Sequence, residues 1–129
     1  TQNRKTMKNA LNWFEIPVTD MERAVKFYCE IFGYESMYIT HMGGFDMAFF
    51  PMEGDGVGGA LCKGEWYKPT QDGSLIYLNG NPDLAIILNK VEEAGGKVIL
   101  PKRIITEEIG YMGLFIDVEG NKVALHSNK

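Results

Sequence analysis

Two histidines, two cysteines and a few well-placed carboxylates carry most of the chemical capacity of this chain. Glu15 stands inside the largely apolar run Asn12 to Val18. A carboxylate there must find a partner or raise its pKa, so Glu15 is the first catalytic candidate, as general base or substrate-orienting group. His126, near the chain's end, is the second, because an imidazole exchanges protons near neutral pH. Trp13, Tyr77, His41 and Phe45 are the ligand-binding candidates. Trp13 and Phe45, with Trp66 and Tyr67, offer rings that stack on a planar ligand. Tyr77 alternates with Leu75 and Asn79 and can present a hydroxyl on their face, while His41 lies just ahead of Gly43-Gly44. Convergence of Glu15, His41 and His126 would create a metal site of unusual composition. Cys62, in a short apolar segment, reads as a small hydrophobe, since only Lys63 nearby would lower its pKa.

The elements that must position these groups occur twice. Asn12 to Val18 reads as a strand, with Trp13, Glu15 and Pro17 on one face and Phe14, Ile16 and Val18 on the other. Thr19-Asp20-Met21-Glu22 fits a capping box, and Met21, Ala24, Val25, Tyr28 and Phe32 follow at helical spacing until Gly33. Tyr34 to His41, Phe45 to Phe50 and Gly59 to Lys63 then read as strands, the first two joined by a Gly43-Gly44 turn. The second half repeats the order. Leu75 to Asn79 is a strand, Asn81-Pro82 opens a helix whose apolar face is Leu84, Ile87, Leu88 and Val91, and Gly95-Gly96 stops it. Lys97 to Ile105, Tyr111 to Asp117 and Lys122 to Ser127 complete it as strands. Met21, Ala24, Val25, Tyr28 and Gly33 each find a counterpart at one fixed offset in Leu84, Ile87, Leu88, Val91 and Gly96. This predicts an α+β domain of two βαβββ modules, about 11–63 and 74–127, joined near Gly64 to Asp72. Two small sheets, each covered by a helix on one face, can curl into a shared concave cleft suited to a small molecule.

Composition narrows the function. The 129 residues are one domain's worth, and 45% hydrophobic with 23% charged residues is ordinary for a globular protein. Thirteen basic against seventeen acidic residues give a net charge of -4, which argues against nucleic acid as a partner. No apolar run is long enough to span a membrane. The polar start Thr1 to Asn9 lacks the apolar core of a secretory signal, and the two cysteines lack metal-site spacing, so a cytoplasmic setting is expected. Gly54-Asp55-Gly56-Val57-Gly58-Gly59 opens no helix and is no phosphate loop; a mobile rim is expected.

The segments Ile16-Pro17-Val18-Thr19-Asp20-Met21-Glu22-Arg23-Ala24-Val25-Lys26-Phe27-Tyr28, Ile31-Phe32-Gly33-Tyr34, Val91-Glu92-Glu93-Ala94-Gly95-Gly96-Lys97-Val98 and Asp117-Val118-Glu119-Gly120-Asn121 carry a resemblance. Together they resemble the vicinal oxygen chelate superfamily, which includes glyoxalase I, bleomycin-resistance proteins and extradiol dioxygenases. The likeness runs from about Leu11 to Ser127, with Val118 where the family usually has proline. Asn12-Trp13-Phe14-Glu15-Ile16-Pro17 and the ending Leu125-His126-Ser127 are most similar to a glyoxalase-related bacterial subgroup. The resemblance implies paired βαβββ modules and, in the metal enzymes, His, Gln and Glu ligands on the inner faces of the strands.

Those ligand positions fall here on Trp13, on Leu75 or Ile76, on Ala124 and near Cys62. Three are apolar and one is a lone thiol, so no metal and no other cofactor is expected. The implied function is small-molecule binding, of the sequestering kind found in bleomycin-resistance proteins. The alternative is a glyoxalase-like lyase or isomerase acting on a small carbonyl substrate through Glu15 or His126. Fifteen aromatic residues are more than two thin helix–sheet layers cover, so a homodimer is expected, its interface bordering the cleft near residues 54–59 or Trp66-Tyr67.

Overall fold

A computed structural model describes residues 6–129. The element order is β1 (Trp13–Pro17), α1 (Met21–Phe32), β2 (Tyr38–Met42), β3 (Phe45–Phe49), β4 (Gly58–Gly64), β5 (Tyr77–Asn79), α2 (Leu84–Val91), β6 (Lys97–Thr106), β7 (Gly110–Ile116) and β8 (Lys122–Ser127). Two four-stranded mixed sheets result, ordered β1-β4-β3-β2 and β5-β8-β7-β6. The orders are the same once numbering restarts, so the repeat seen in the sequence is a repeat of topology. In each sheet the first strand pairs in parallel with the last, and the other pairs are antiparallel. The sheets remain open, and β1 and β5 are edge strands.

Alternation assigns each strand's two faces. Ile16 and Val18 are buried against α1, whose inner face is Met21, Ala24, Phe27, Tyr28 and Ile31. Val123 and Leu125 are buried in the same way beneath α2, through Leu84, Ile87, Leu88 and Val91. These residues form one continuous core that runs through both modules. The Phe27 and Phe115 rings meet across it with centroids 6.0 Å apart. Each large side chain fully buried there contributes up to about 1.5–3 kcal/mol of transfer free energy.

Several expected boundaries move. Helix α1 is capped by the Asp20 side chain, which accepts from the Arg23 N–H, and not by a Thr19–Glu22 capping box. The Thr19 hydroxyl and backbone N–H turn instead to Glu119 of the second module. Likewise Asp83 caps α2 through the Ala85 N–H, displacing the expected Asn81-Pro82 start. The second strand begins at Tyr38 because the Tyr34 ring stacks on Phe32, centroids 5.4 Å apart, and holds its segment against the helix. Gly33 ends α1 as expected, at φ 75°, a conformation that favours glycine.

Candidate functional site

A cavity of about 790 Å³ opens at the seam between β1 and β5, on the helix side of the first sheet. Its wall is aromatic. Phe14 and Phe50 lie 5.4 Å apart, Phe32 and Tyr34 stack, and Tyr34 meets Phe50 edge-on at 6.4 Å. Met52, Leu75 and Ile76 add aliphatic surface, and Tyr77 and Asn79 stand along the β5 side. Among the described residues Glu53 is the one charged side chain on the lining. Burial pushes the Tyr34 phenol above its ordinary pKa, so that hydroxyl stays neutral. Phe14 can lie flat against β4 because residue 59 is glycine; a Cβ there would run into the Phe14 ring.

The concave face of the first sheet carries Trp13, Glu15, Phe45, Met47, Phe49, Ala60 and Cys62 by register. Part of it is covered. The linker after β4 folds back over it, and Tyr67 packs with Met47, Ala60 and Cys62 in a second small core. The Tyr67 hydroxyl donates to Glu15 Oε1 at 2.7 Å, and Trp13 Nε1 donates to Oε2 at 3.3 Å. The hydrogen bond to Glu15 is the chief cause that holds the Tyr67 pKa up at about 12. Cys62 is fully buried, and burial, aided by the neighbouring Glu15 charge, pushes its thiol up to about 12. Linker aromatics therefore cover part of the first sheet's concave side, and the roomier cavity opens elsewhere along the seam.

The sequence-predicted residues are dispersed. Glu15, Trp13 and Phe45 share the first concave face, whereas His41 pairs in register with Asp46 and projects from the opposite face. His41 Nδ1 lies 2.6 Å from Asp46 Oδ1, with its side chain 77% exposed. His126 stands on the second sheet opposite Asn79 and Met112, and its Nε2 meets the Ile109 carbonyl at 2.6 Å. Because a carbonyl only accepts, Nε2 is the donor in this contact. Tyr77 lines the 790 Å³ cavity and is also brought together with His126 on the wall of a second cavity of about 580 Å³. Glu15, His41 and His126 do not converge, and among the described residues no three His, Cys, Asp or Glu side chains are placed to hold a metal ion.

The metal centre implied by the family resemblance does not fit this donor set. Trp13 and Ala124 offer no metal-binding lone pair, and the residue paired with Ala124 on β5 is Tyr77. The sequence reading missed the wall formed by Phe14, Phe32, Tyr34 and Phe50. The available signal was their position: Phe14 and Phe50 occupy the helix-facing phase of their strands, so they read as plain core, and only an unfilled seam turns core aromatics into a cavity wall.

Two open βαβββ sheets in tandem, each with its helix on one face and a cavity at their seam, define the class of protein. The chain belongs to the Glyoxalase/Bleomycin resistance protein/Dioxygenase superfamily, whose family model matches residues 10–125. Among solved structures it is similar to a glyoxylase/bleomycin resistance protein/dioxygenase domain from Frankia sp. EAN1pec, with a TM-score of 0.69, 15% identity, and coverage of 95% of this chain and 100% of that one. A glyoxalase/bleomycin resistance protein from Albidiferax ferrireducens T118 superposes with a TM-score of 0.67 at 16% identity, covering 94% and 100%. A glyoxalase-related enzyme from Fulvimarina pelagi gives 0.64 at 16% identity, covering 95% and 89%. At such identities these likenesses establish the fold. A comparison with curated protein sequences found no match. No helix of the described residues is long and apolar enough to cross a membrane.

Proposed function

We propose that this protein binds a small, largely apolar or aromatic molecule in the seam cavity, as a binding or sequestering member of its superfamily. The observation that carries this is the cavity itself: about 790 Å³ walled by Phe14, Phe32, Tyr34 and Phe50 with few polar groups, the usual make-up of a small-molecule site. Glu53 is its only charged lining residue among the described residues, and the chain's net charge is -4, so a neutral or cationic ligand suits it better than an anion. Tyr34 and Tyr77 can orient the ligand through hydroxyls.

The lyase or isomerase reading draws less support. Glu15 and His126 stand on different sheets, and each is committed to a hydrogen bond inside the chain. Enolisation without metal also needs a donor aimed at the developing oxyanion, and the nearest donors to Glu15, on Tyr67 and Trp13, are already turned onto its own carboxylate.

The binding reading includes a second copy of the chain. Tyr38 is 72% exposed and Trp66 70% exposed, on or beside the first concave face, where a two-fold partner would cover them. Light scattering at micromolar concentration should give twice the chain mass.

Binding is tested by thermal melting and tryptophan fluorescence against a panel of neutral and cationic aromatic compounds. Leu75 lines the cavity yet is 40% exposed, so Leu75→Trp fills the space without disturbing the core. Panel members should raise the melting temperature of the native chain and leave Leu75→Trp unmoved. A panel without effect, or an unchanged response in Leu75→Trp, would overturn the assignment.

A further inference from the structure

On the concave side of the same seam lies a smaller cavity, about 220 Å³, lined among others by Glu15, Pro17, Thr70, Ser74, Ile76 and Lys122. That volume is about seven water molecules' worth, the size of a small organic solute. Its two charged residues approach from different modules. Phe14 and Ile16 pack inward, so Glu15 emerges on the concave face of β1. Val123 is buried in the core beneath α2, so Lys122 emerges on the concave face of β8.

Neither charge is neutralised by the other. Among the described residues Lys122 takes part in no ion pair, and Glu15 accepts only from the neutral donors Tyr67 and Trp13. Those two donors also fix the carboxylate's position, so its place at the cavity edge is set in advance. Glu15 and Lys122, both half-buried residues on the wall of one small cavity, each leave a charge available to an opposite one. A ligand with one charge satisfies one and leaves the other uncompensated. A zwitterion satisfies both with charge-assisted hydrogen bonds and leaves the net charge of the site unchanged.

We propose that this cavity binds a small zwitterion of the α-amino-acid type, its ammonium on Glu15 and its carboxylate on Lys122. Thr70 and Ser74 supply hydroxyls at the rim, and Pro17 and Ile76 supply the apolar wall for a short aliphatic side chain. The site shares only Ser74 and Ile76 with the aromatic cavity and none of its aromatic wall, so it stands or falls independently of the proposed function.

Isothermal titration calorimetry with L-valine tests the assignment, with isovalerate and isobutylamine as the analogues that lack the ammonium or the carboxylate. L-valine should bind, and each analogue should bind at least about tenfold more weakly, the usual cost of losing one charged hydrogen-bond partner. Glu15→Gln and Lys122→Met should each weaken L-valine binding by a similar factor, whereas Leu75→Trp should leave it intact. Lys122 opens a strand and is only half-buried, so Lys122→Met decides the matter should Glu15→Gln fail to fold. No heat from L-valine or any other proteinogenic amino acid at millimolar concentration would overturn the proposal. Equal binding of the single-charge analogues, or unchanged affinity in Lys122→Met, would do so as well.

Discussion

The phenol of Tyr28 on α1 donates a 2.7 Å hydrogen bond to Asp117 Oδ2, beyond the end of β7, and both residues are buried. This contact joins the two modules through their common core. Around it, Asn121 Nδ2 donates to the Pro17 carbonyl at 2.7 Å and to Asp117 at 3.1 Å. Glu119, its side chain wholly shielded from solvent, accepts from Thr19, Asp20 and Arg23 at the start of α1. The turn Asp117-Val118-Glu119-Gly120-Asn121 thus works as a clasp that holds the second module to β1 and α1 of the first.

Tyr28→Phe keeps the ring and removes the clasp's central donor. Asp117 would then stay buried with one partner fewer. The expected loss is about 1–3 kcal/mol of stability, the range for stranding a buried polar group. Urea unfolding checks it: the midpoint should fall with little change in slope.

The two clasp carboxylates respond to pH in opposite senses. Burial of Glu119 works to raise its pKa, but the hydrogen bonds from Thr19, Arg23 and Asp20 outweigh it and hold the group below the ordinary glutamate value. Its contribution is therefore present above that ordinary value and is lost as pH falls through the lower folded value. For Asp117, burial wins over its hydrogen bonds and raises the pKa. Its contribution is full below the ordinary aspartate value and is lost as pH rises through the raised folded value. Glu119→Gln should therefore be less stable at neutral pH and should lose less stability than the native chain on acidification. Denaturation midpoints measured from neutral pH down to about pH 3, below the ordinary carboxylate range, make the comparison.

The thiols should be slow to react. Cys62 is fully buried with a pKa of about 12, and Cys29 on α1 is half-buried with its pKa raised by burial. Since the thiolate is the reactive species, a disulfide exchange reagent near pH 8 should modify Cys29 sluggishly and Cys62 only after unfolding. Rapid modification of Cys62 in the native chain would mean that the linker carrying Tyr67 opens readily.

Gly59→Ala tests the support of the aromatic wall. The new methyl group would meet the Phe14 ring, which belongs to both the cavity lining and the core edge. Relief requires Phe14 to swing toward the cavity. A destabilisation of about 1–3 kcal/mol is expected, as for overpacking elsewhere, together with weaker binding of any ligand held in the aromatic cavity. Thermal melts with and without that ligand read out both effects.

Alternation and helical spacing were enough to place nearly every element, because they record which face of each segment is apolar. They also placed Glu15 with Trp13, and His126 in phase with Ala124. The separation of His41 from Phe45 was legible too, since the short Gly43-Gly44 turn pairs His41 with Asp46 and so turns it from Phe45's face. Other features depended on contacts distant in sequence. Thr19 finds Glu119 rather than Glu22, a partner 100 positions away that no local window contains. Part of the concave side is covered by Tyr67 because the linker folds back onto Glu15, 52 positions earlier. The cavities themselves exist because two edge strands approach without pairing. Local pattern fixes which way a side chain points, but whether it meets another chain segment or empty space is decided only by how the two modules close on each other.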